Sequence, residues 1–353
     1  MASLTEVSYY SRKGINLAVI FAIAFLIIRT AILTAADLRN RFFPPPPPPP
    51  NCFFGPLPVP NAQNGIATPS GLTYTIETPD LSLPPLPQTL KVYFLPSPPG
   101  PTFNSFDKMK SQAATLGFTG SPKRLTTSLY EFSDPANPLR TLELDELSHN
   151  FRITYKYESD LSLFNEKNFS SKETIAAMAQ KFFAGAAALP LDVSTGSIDT
   201  ILLKLDGSNL VPATSISNTD AAYVTLNRTP LDKIPIVSPD AKRGLISALV
   251  TGNSNPSKAI LNASYLYNPL DRQNFATYPS VNVQASFDQL KSGQAIFASL
   301  PDPLPKSVAI RKVFVAYLDP YPSQSYLQPV VVFSDERGFV AYVRAILPTC
   351  SAK

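Results

Sequence analysis

The only histidine of this chain, His149, stands in the stretch DELSHNFRI, just ahead of a strand-like segment. Because there is no second histidine and no closely spaced cysteine pair, the usual ligands of a transition-metal site are missing. Glu143, Asp145 and Glu146 lie close together in LELDEL, but strand alternation places Asp145 and Glu146 on opposite faces. We interpret the acidic group as a solvated strand edge and His149 as a surface or capping residue.

The motifs of nucleotide-binding and hydrolytic enzymes are also missing from the sequence. Neither G-x-G-x-x-G, G-x-x-x-x-G-K-[ST] nor G-x-S-x-G occurs. A carboxylate pair of the glycosidase kind is assembled in space, but few acidic residues stand near aromatic ones and tryptophan is absent. We therefore expect a non-catalytic protein without a cofactor.

Two further groups of residues are candidates for bonds or contacts. Cys52 and Cys350 stand near opposite ends of the region after the apolar segment, so a disulfide requires that these ends meet. The alternative, which the sequence favours, is two free thiols. In YLDPYPSQSYLQP, Tyr317, Tyr321 and Tyr326 surround prolines and are candidates for an exposed protein-contact loop, with packing inside the loop as the alternative.

The amino-terminal region is typical of a membrane anchor. The segment Gly14–Ala36 has 23 residues, close to the roughly 20 that span a bilayer as a helix. Arg29 interrupts it, and its side chain can either reach the interface or contact a polar group on another membrane helix. A cleaved signal peptide is the competing interpretation. We expect a cytoplasmic tail of residues 1–13 and a head outside, although the positive charges on the two sides nearly balance.

A proline-rich stretch follows the apolar segment. Seven consecutive prolines end at Pro50, and 19 of the 37 prolines lie between Pro44 and Pro101. The seven-proline tract predicts a polyproline II rod of roughly 22 Å. We interpret residues 37–90 as a spacer and a semi-extended strap that hold the head away from a membrane. Recognition of the tract by an aromatic-lined groove is the alternative.

Charge argues against a nucleic-acid partner. The net charge is +4, and the first fifty residues contain five basic and two acidic side chains. The rest of the chain is therefore close to neutral, without the basic surface of a nucleic-acid-binding protein.

The sequence pattern of the head, residues 91–353, predicts an α+β fold. Helical periodicity occurs in NSFDKMKSQAATLGF, SSKETIAAMAQKFFAGA, where Ser170 and Glu173 form a capping box, and SFDQLKSG. Strand alternation is clear in FRITYKYES, and an Asp206-Gly207 turn predicts a hairpin. We expect antiparallel sheets, each packed by a single short helix, in two units of residues 91–160 and 161–353.

The carboxyl-terminal strands predict an antiparallel meander and suggest a family resemblance. Pro329, inside YLQPVVVF, suggests an edge strand or a bulge. The run SFDQLKSGQAIFASL, followed by IRKVFVAYLDPYPSQSYLQPVVVFSDERGFVAYVRAIL, resembles the extracytoplasmic regions of YycH/YycI-type regulators and PepSY-like domains. The plan of one amino-terminal helix and such a head is also similar to that of uncharacterised single-pass proteins of candidate-phylum bacteria. The resemblance covers residues 90–347 and implies a class of behaviour, without functional residues.

These observations favour a membrane-anchored extracytoplasmic binding or regulatory protein that acts through protein–protein contacts. The expected partners are the lipid bilayer and another membrane protein or cell-envelope component, with the amino terminus inside and the head outside. The alternative function is a structural cell-envelope protein that tethers the membrane to wall or surface material.

Overall fold

A computed structural model describes residues 17–35, 49–63, 66–347 and 349–350 of the chain. The chain divides into an amino-terminal unit, residues 1–49, and a head, residues 50–353. The predicted tail and the first five prolines of the seven-proline tract lie outside the described residues.

Among its described residues, the amino-terminal unit contains the helix α1 (Leu17–Ala35), which is long and apolar enough to cross a membrane. Its two threonine hydroxyls have partners within the helix, since the Thr30 hydroxyl donates to Leu26 O at 2.9 Å and the Thr34 hydroxyl donates to Thr30 O at 2.5 Å. Intrahelical bonds of this kind remove the cost of burying a hydroxyl in hydrocarbon. A membrane anchor and a signal sequence share this length and composition.

The head contains short helices and many strands, whose bounds are as follows. The helices are α2 (Ser105–Thr115), α3 (Lys172–Ala186), α4 (Leu191–Ser194), α5 (Pro256–Ala259) and α6 (Val283–Lys291). The strands are β1 (Thr73–Ile76), β2 (Thr89–Phe94), β3 (Lys123–Arg124), β4 (Leu129–Asp134), β5 (Asn137–Asp145), β6 (Phe151–Tyr155), β7 (Ile198–Asp206), β8 (Asn209–Pro212), β9 (Ala221–Leu226), β10 (Ile236–Val237), β11 (Ile246–Thr251), β12 (Ile260–Tyr265), β13 (Asp271–Pro279), β14 (Ile296–Ser299), β15 (Ser307–Ile310), β16 (Lys312–Leu318), β17 (Tyr326–Ser334) and β18 (Val340–Arg344).

The three predicted helices are α2, α3 and α6, and α3 shows how closely the pattern fits. Its buried face includes Ile175 and Phe183, which lie two turns apart. The cap is one residue later than predicted. The Ser171 side chain, instead of that of Ser170, accepts a hydrogen bond from Thr174 N because Ser171 has the extended backbone that an N-cap requires.

The larger sheet has nine strands in the order β3-β4-β5-β6-β12-β11-β9-β7-β8. Its neighbouring strands are antiparallel, and the predicted Asp206-Gly207 turn joins β7 to β8 with Gly207 at a φ of 64°. Both α2 and α3 pack into one hydrophobic core with this sheet. The prediction of a single helix for each sheet is therefore wrong here, because nine strands present an apolar face wider than one helix.

The predicted boundary between residues 160 and 161 divides this sheet. Strand β6 pairs with β12, with Ile153 opposite Ala263, so the two predicted units share a ladder of hydrogen bonds. Strand β2, most of which was expected in the same unit as β6, pairs instead with β13 and β17 of the other large sheet. The head is consequently one interleaved structure in which early strands pair with late ones.

The second sheet has seven strands and includes the predicted meander β16-β17-β18. Pro329 lies inside its central strand, so the prediction of an edge or bulge is wrong. On one side of β17, Leu327 pairs with β2 while Val330 pairs with β18, and Pro329 stands between these two partners. Its carbonyl accepts from Ala345 N at 3.1 Å, and its missing N–H falls where the pairing partner changes.

A buried cluster of charges joins the two large sheets. Arg228, which follows β9, donates to Asp192 on α4 at 2.7 Å and to Asp319, which follows β16, at 2.9 Å. Its guanidinium also lies 4.8 Å from the ring centre of Tyr267, and Asn268 donates to Asp319 at 2.8 Å. Since only 5% of the Arg228 side chain is exposed, this network is a fixed link inside the head.

The cluster contains two carboxylates for one guanidinium, and the pKa values of Asp319 and Arg228 are both shifted. Burial raises the pKa of Asp319 above its usual range, although Arg228 and Asn268 oppose the change. Burial alone would lower the pKa of Arg228, but Asp319 and Asp192 together raise it above the ordinary value. Arg228 is therefore a permanent cation on which both carboxylates depend.

We predict that Arg228→Ala lowers the free energy of unfolding by about 3–5 kcal/mol at pH 7, because it leaves two buried carboxylates without their cation. Burial already raises the Asp319 pKa, so its carboxyl takes up a proton in the folded variant as pH falls. The loss should therefore be smaller at pH 5 than at pH 7. Urea unfolding of the native protein and the variant at pH 5 and pH 7 measures this loss in the free energy of unfolding.

The matched control is Arg243→Ala, which removes an exposed arginine that lies 5.9 Å from the Tyr223 ring. It should cost about 1 kcal/mol or less at either pH. Equal losses for the two variants would contradict the assigned role of Arg228.

Candidate functional site

The structure separates the three tyrosines that the sequence grouped into one exposed loop. Tyr317 is only 1% exposed, and its ring packs 5.6 Å from that of Tyr93, so it is a core residue. The half-buried Tyr321 accepts a hydrogen bond from Arg152 at 3.3 Å. Tyr326 is also half-buried and contacts a segment from the start of the head, described next.

That segment lies within the predicted spacer and strap of residues 37–90. From here on, the name strap refers to residues 50–63 alone. Pro56, Pro58 and Pro60 alternate with other residues in GPLPVP, which fixes every second φ and keeps the residues between them extended. Leu57 and Pro60 are buried while Pro58 and Val59 are exposed. A spacing of three between the inward-facing residues matches the three residues per turn of a polyproline II helix.

Two polar side chains of the meander hold the middle of the strap. Gln328 donates its amide to Pro58 O at 2.9 Å, and Arg344 donates to Leu57 O at 3.1 Å. Arg344 also donates to the Gln328 side-chain oxygen at 3.0 Å, which fixes the orientation of that amide. The pair therefore presents two aligned donors to two successive strap carbonyls.

Further polar contacts lie on both sides of this pair. Gln324 donates to Val59 O at 3.2 Å and accepts from Asn61 N at 3.0 Å, so one side chain forms hydrogen bonds with both a carbonyl and an N–H of the strap. Nearer the amino end, the Tyr278 hydroxyl donates to Gly55 O at 2.7 Å. Side chains thus replace the backbone ladder that the prolines cannot form.

An aromatic contact completes the site. Phe54 of the strap lies with its ring centre 5.0 Å from that of Tyr326 and 6.5 Å from that of Phe94. The neighbouring Phe53 is 77% exposed. The surface that contacts the strap, here called the strap groove, consists of Phe94, Tyr278, Gln324, Tyr326, Gln328 and Arg344.

Both ends of the strap are fastened to the head. Asn51 N donates to Thr277 O at 3.1 Å and its side chain accepts from Thr277 N at 2.9 Å, so the chain is fixed one residue after the proline tract. At the other end, Gln63 N donates to Tyr321 O at 2.8 Å.

Cys52 and Cys350 form a disulfide in the structure, with their Cα atoms 5.8 Å apart. The sequence favoured two free thiols, because nothing local shows that residues 298 positions apart meet. They meet because the strap and the end of the chain both run beside β13. Cys52 N donates to Thr277 O at 3.0 Å, and Leu347 N donates to Pro279 O at 3.0 Å.

Two donors of the strap groove, Gln328 and Tyr278, are buried, and Gln324 and Arg344 are half-buried, which sets the energetic character of the site. Gln328 is 1% exposed, and burial lowers the pKa of Arg344 from an ordinary value so high that the side chain remains a cation at neutral pH. Buried donors without acceptors are costly. The groove is therefore suited to an extended chain that presents free carbonyls.

The other candidate residues have structural roles or lie apart from the groove. His149 has a φ of 58° and its ring pairs with the Gln112 side chain at 2.9 Å. Asp145 accepts from Ser148 N at 2.8 Å and so closes its own turn. Arg29 is exposed on α1, six residues before its end. Within the described residues, no group of three or more acidic, histidine or cysteine side chains could hold a metal ion.

Sequence reasoning missed the residues that build the groove, although a signal was present. Gln328 and Arg344 are the polar side chains in the otherwise apolar strand sequences YLQPVVV and FVAYVRAIL. A polar residue in a buried strand needs a partner, and here both partners are strap carbonyls.

No protein-family model matches the chain, and no curated protein matches it. Its function is therefore inferred from α1, the disulfide and the strap groove.

We predict that Gln328→Ala loosens the strap, because it removes the donor to Pro58 O and the acceptor of Arg344. The cost should be about 1–3 kcal/mol, the penalty for unsatisfied buried polar groups. Amide hydrogen exchange at Asn61 and Gln63 should accelerate. The control Gln273→Ala removes an exposed side chain, and equal acceleration in that variant would argue against a specific role for Gln328.

We predict that Cys52→Ser lowers the free energy of unfolding by about 3–5 kcal/mol, since the bridge closes a loop across almost the whole head. Urea unfolding measures the loss, and reduction of the native protein should reproduce it. Under denaturing conditions without reductant, a thiol-alkylating reagent should add nothing to the native chain. Two alkylated cysteines in that sample would show that the bridge is absent.

Proposed function

We propose that this chain is a membrane-anchored extracytoplasmic binding or regulatory protein that acts through protein–protein contacts and has no catalytic activity. The observation that supports this most strongly is the Cys52–Cys350 disulfide in a head that follows an apolar helix. Disulfides persist in oxidising compartments and are rare in the cytosol. We place the amino terminus inside and the head outside on this basis.

We propose that α1 is retained as an anchor. Its 19 helical residues exceed the 7–15 apolar residues that are typical of a signal peptide core. In the sequence, the proline tract lies between the anchor and Asn51, whose N–H donates to Thr277 O. A stiff spacer at this position would keep the head accessible to partners.

We also propose that the head is related to YycH/YycI-type and PepSY-like regulators. Three features support this relationship: one apolar amino-terminal helix, an α+β head and the carboxyl-terminal meander. In that setting Arg29 is the candidate contact to another membrane protein, because a charge within an apolar helix is costly unless it gains a partner.

The alternative function is a structural envelope protein that tethers the membrane to wall or surface material. The position of the disulfide favours this alternative. Cys52 lies two residues after the proline tract, so a pull that breaks the hydrogen bonds of Asn51 meets a covalent bond before it can displace the rest of the strap.

We predict that in-cell crosslinking of the full-length protein captures a defined membrane partner. A matched version carries an unrelated membrane helix in place of residues 14–36, and a second variant carries Arg29→Leu. Loss of the partner in both versions would support regulation through the anchor. Recovery of the same envelope material with every version would support the structural alternative, and recovery of nothing specific would contradict both functions.

A further inference from the structure

We propose that the strap groove is a recognition site for extended, proline-alternating segments of partner proteins, and that the strap is its resident intramolecular ligand. This inference rests on the proposed binding function and names the class of partner that the function requires. The bound strap itself shows which chemistry the groove accepts.

The polar side chains of the groove form their hydrogen bonds with the main chain of the bound segment, chiefly with its carbonyls. Arg344, Gln328 and Gln324 donate to the carbonyls of Leu57, Pro58 and Val59 in turn. A segment with alternating prolines has few N–H groups and forms no internal hydrogen bonds, so its carbonyls stay free for such donors. A helical or strand-forming peptide would already use those carbonyls.

Side-chain selectivity comes from three positions of the strap. Leu57 is 6% exposed and Pro60 is buried, three residues later. Phe54, three residues before Leu57, packs against Tyr326 and Phe94. The spacing of Leu57 and Pro60 matches one face of a polyproline II helix, whereas Phe54 is presented by a turn in which Gly55 N donates to Cys52 O at 2.9 Å and Gly55 has a φ of 69°. The preferred partner segment therefore has an aliphatic residue and a proline three positions apart in an extended stretch, preceded by a turn that presents an aromatic residue.

Emptying the groove has a cost. Without a ligand, the amide of Gln328 and the guanidinium of Arg344 would exchange their carbonyl acceptors for water, and the apolar contacts of Leu57 and Phe54 would be lost. Any process that displaces the strap is therefore favoured when a segment of the same chemistry replaces it. The site is suited to exchange of one bound segment for another.

The fastenings at both ends of the strap control this exchange. The disulfide at Cys52 and the Gln63–Tyr321 hydrogen bond keep the strap beside the groove at a high effective concentration. A free peptide competes poorly with such a ligand. Opening one end lowers this effective concentration while the other end still joins the strap to the head, so a partner segment enters the groove more easily.

The test uses the full chain in detergent, with a protease site in place of residues 64–65. Cleavage leaves the strap joined to the head by the disulfide, and reduction then allows the amino-terminal fragment to be removed. The probe is a fluorescein-labelled peptide of residues 50–63 in which serine replaces Cys52. Fluorescence anisotropy measures its binding to the cleaved, reduced head.

Saturable binding is expected, and Gln328→Ala in the head should weaken it about tenfold, the factor for one lost hydrogen bond of this kind. Leu57→Asp in the peptide should have at least as large an effect. The controls are a scrambled peptide and Gln273→Ala in the head. A head that keeps its circular dichroism spectrum but does not bind, or that binds the scrambled peptide equally, would overturn the proposal.

A second measurement covers the case in which the head unfolds without its strap. In the intact, reduced chain, excess unlabelled peptide should accelerate amide exchange at Asn61 and Gln63, because it competes with the strap. Unchanged exchange at millimolar peptide would overturn the proposal. A disulfide-linked dimer of the native chain on a non-reducing gel would also overturn it, since the occupant would then be the strap of a second copy.

These outcomes are separate from those of the crosslinking experiment. Peptide binding in detergent requires neither a membrane nor a cellular partner. Failure of the peptide to bind, together with capture of a partner in cells, would leave the proposed function intact and remove only the groove as its site.

Discussion

Proline has no backbone N–H. This one constraint governs how the strap is held at the start of the head and how strand β17 of the seven-stranded sheet is paired. In its middle the strap alternates prolines with other residues, so every second residue there lacks the N–H that a sheet ladder uses. It is held instead by side-chain donors such as Gln328 and Arg344. The same constraint places Pro329 where β17 changes partner from β2 to β18, because no N–H is needed there.

A second constraint is the need to neutralise charge between the two large sheets. Arg228 lies within hydrogen-bonding distance of Asp192 from one side and Asp319 from the other. Replacing such a network piecemeal leaves uncompensated charge in a dry interior. The head therefore behaves as one unit, closed by this cluster inside and by the Cys52–Cys350 bridge at its ends.

Much of the fold follows from local pattern. The three longer helices of the head, the β7–β8 hairpin and the meander were predicted because their periodicity and turn residues are encoded within short segments. Long-range pairing was not predictable. Early strand β2 joins the late sheet, and β6 pairs with β12, because complementary apolar faces at distant positions decide these contacts. Strand β6 also ends at Tyr155, and the predicted strand residue Tyr157 begins a 3-10 turn.

The sequence by itself determined an apolar amino-terminal helix and an α+β head, because each depends on composition or short-range spacing. It also singled out Cys52, Cys350 and Tyr326 without showing what they contact. Only the tertiary structure paired the two cysteines and placed Tyr326 against Phe54. It alone made a groove from residues of separate strands, since the carbonyls that those side chains bind lie about 270 to 290 positions away in the chain.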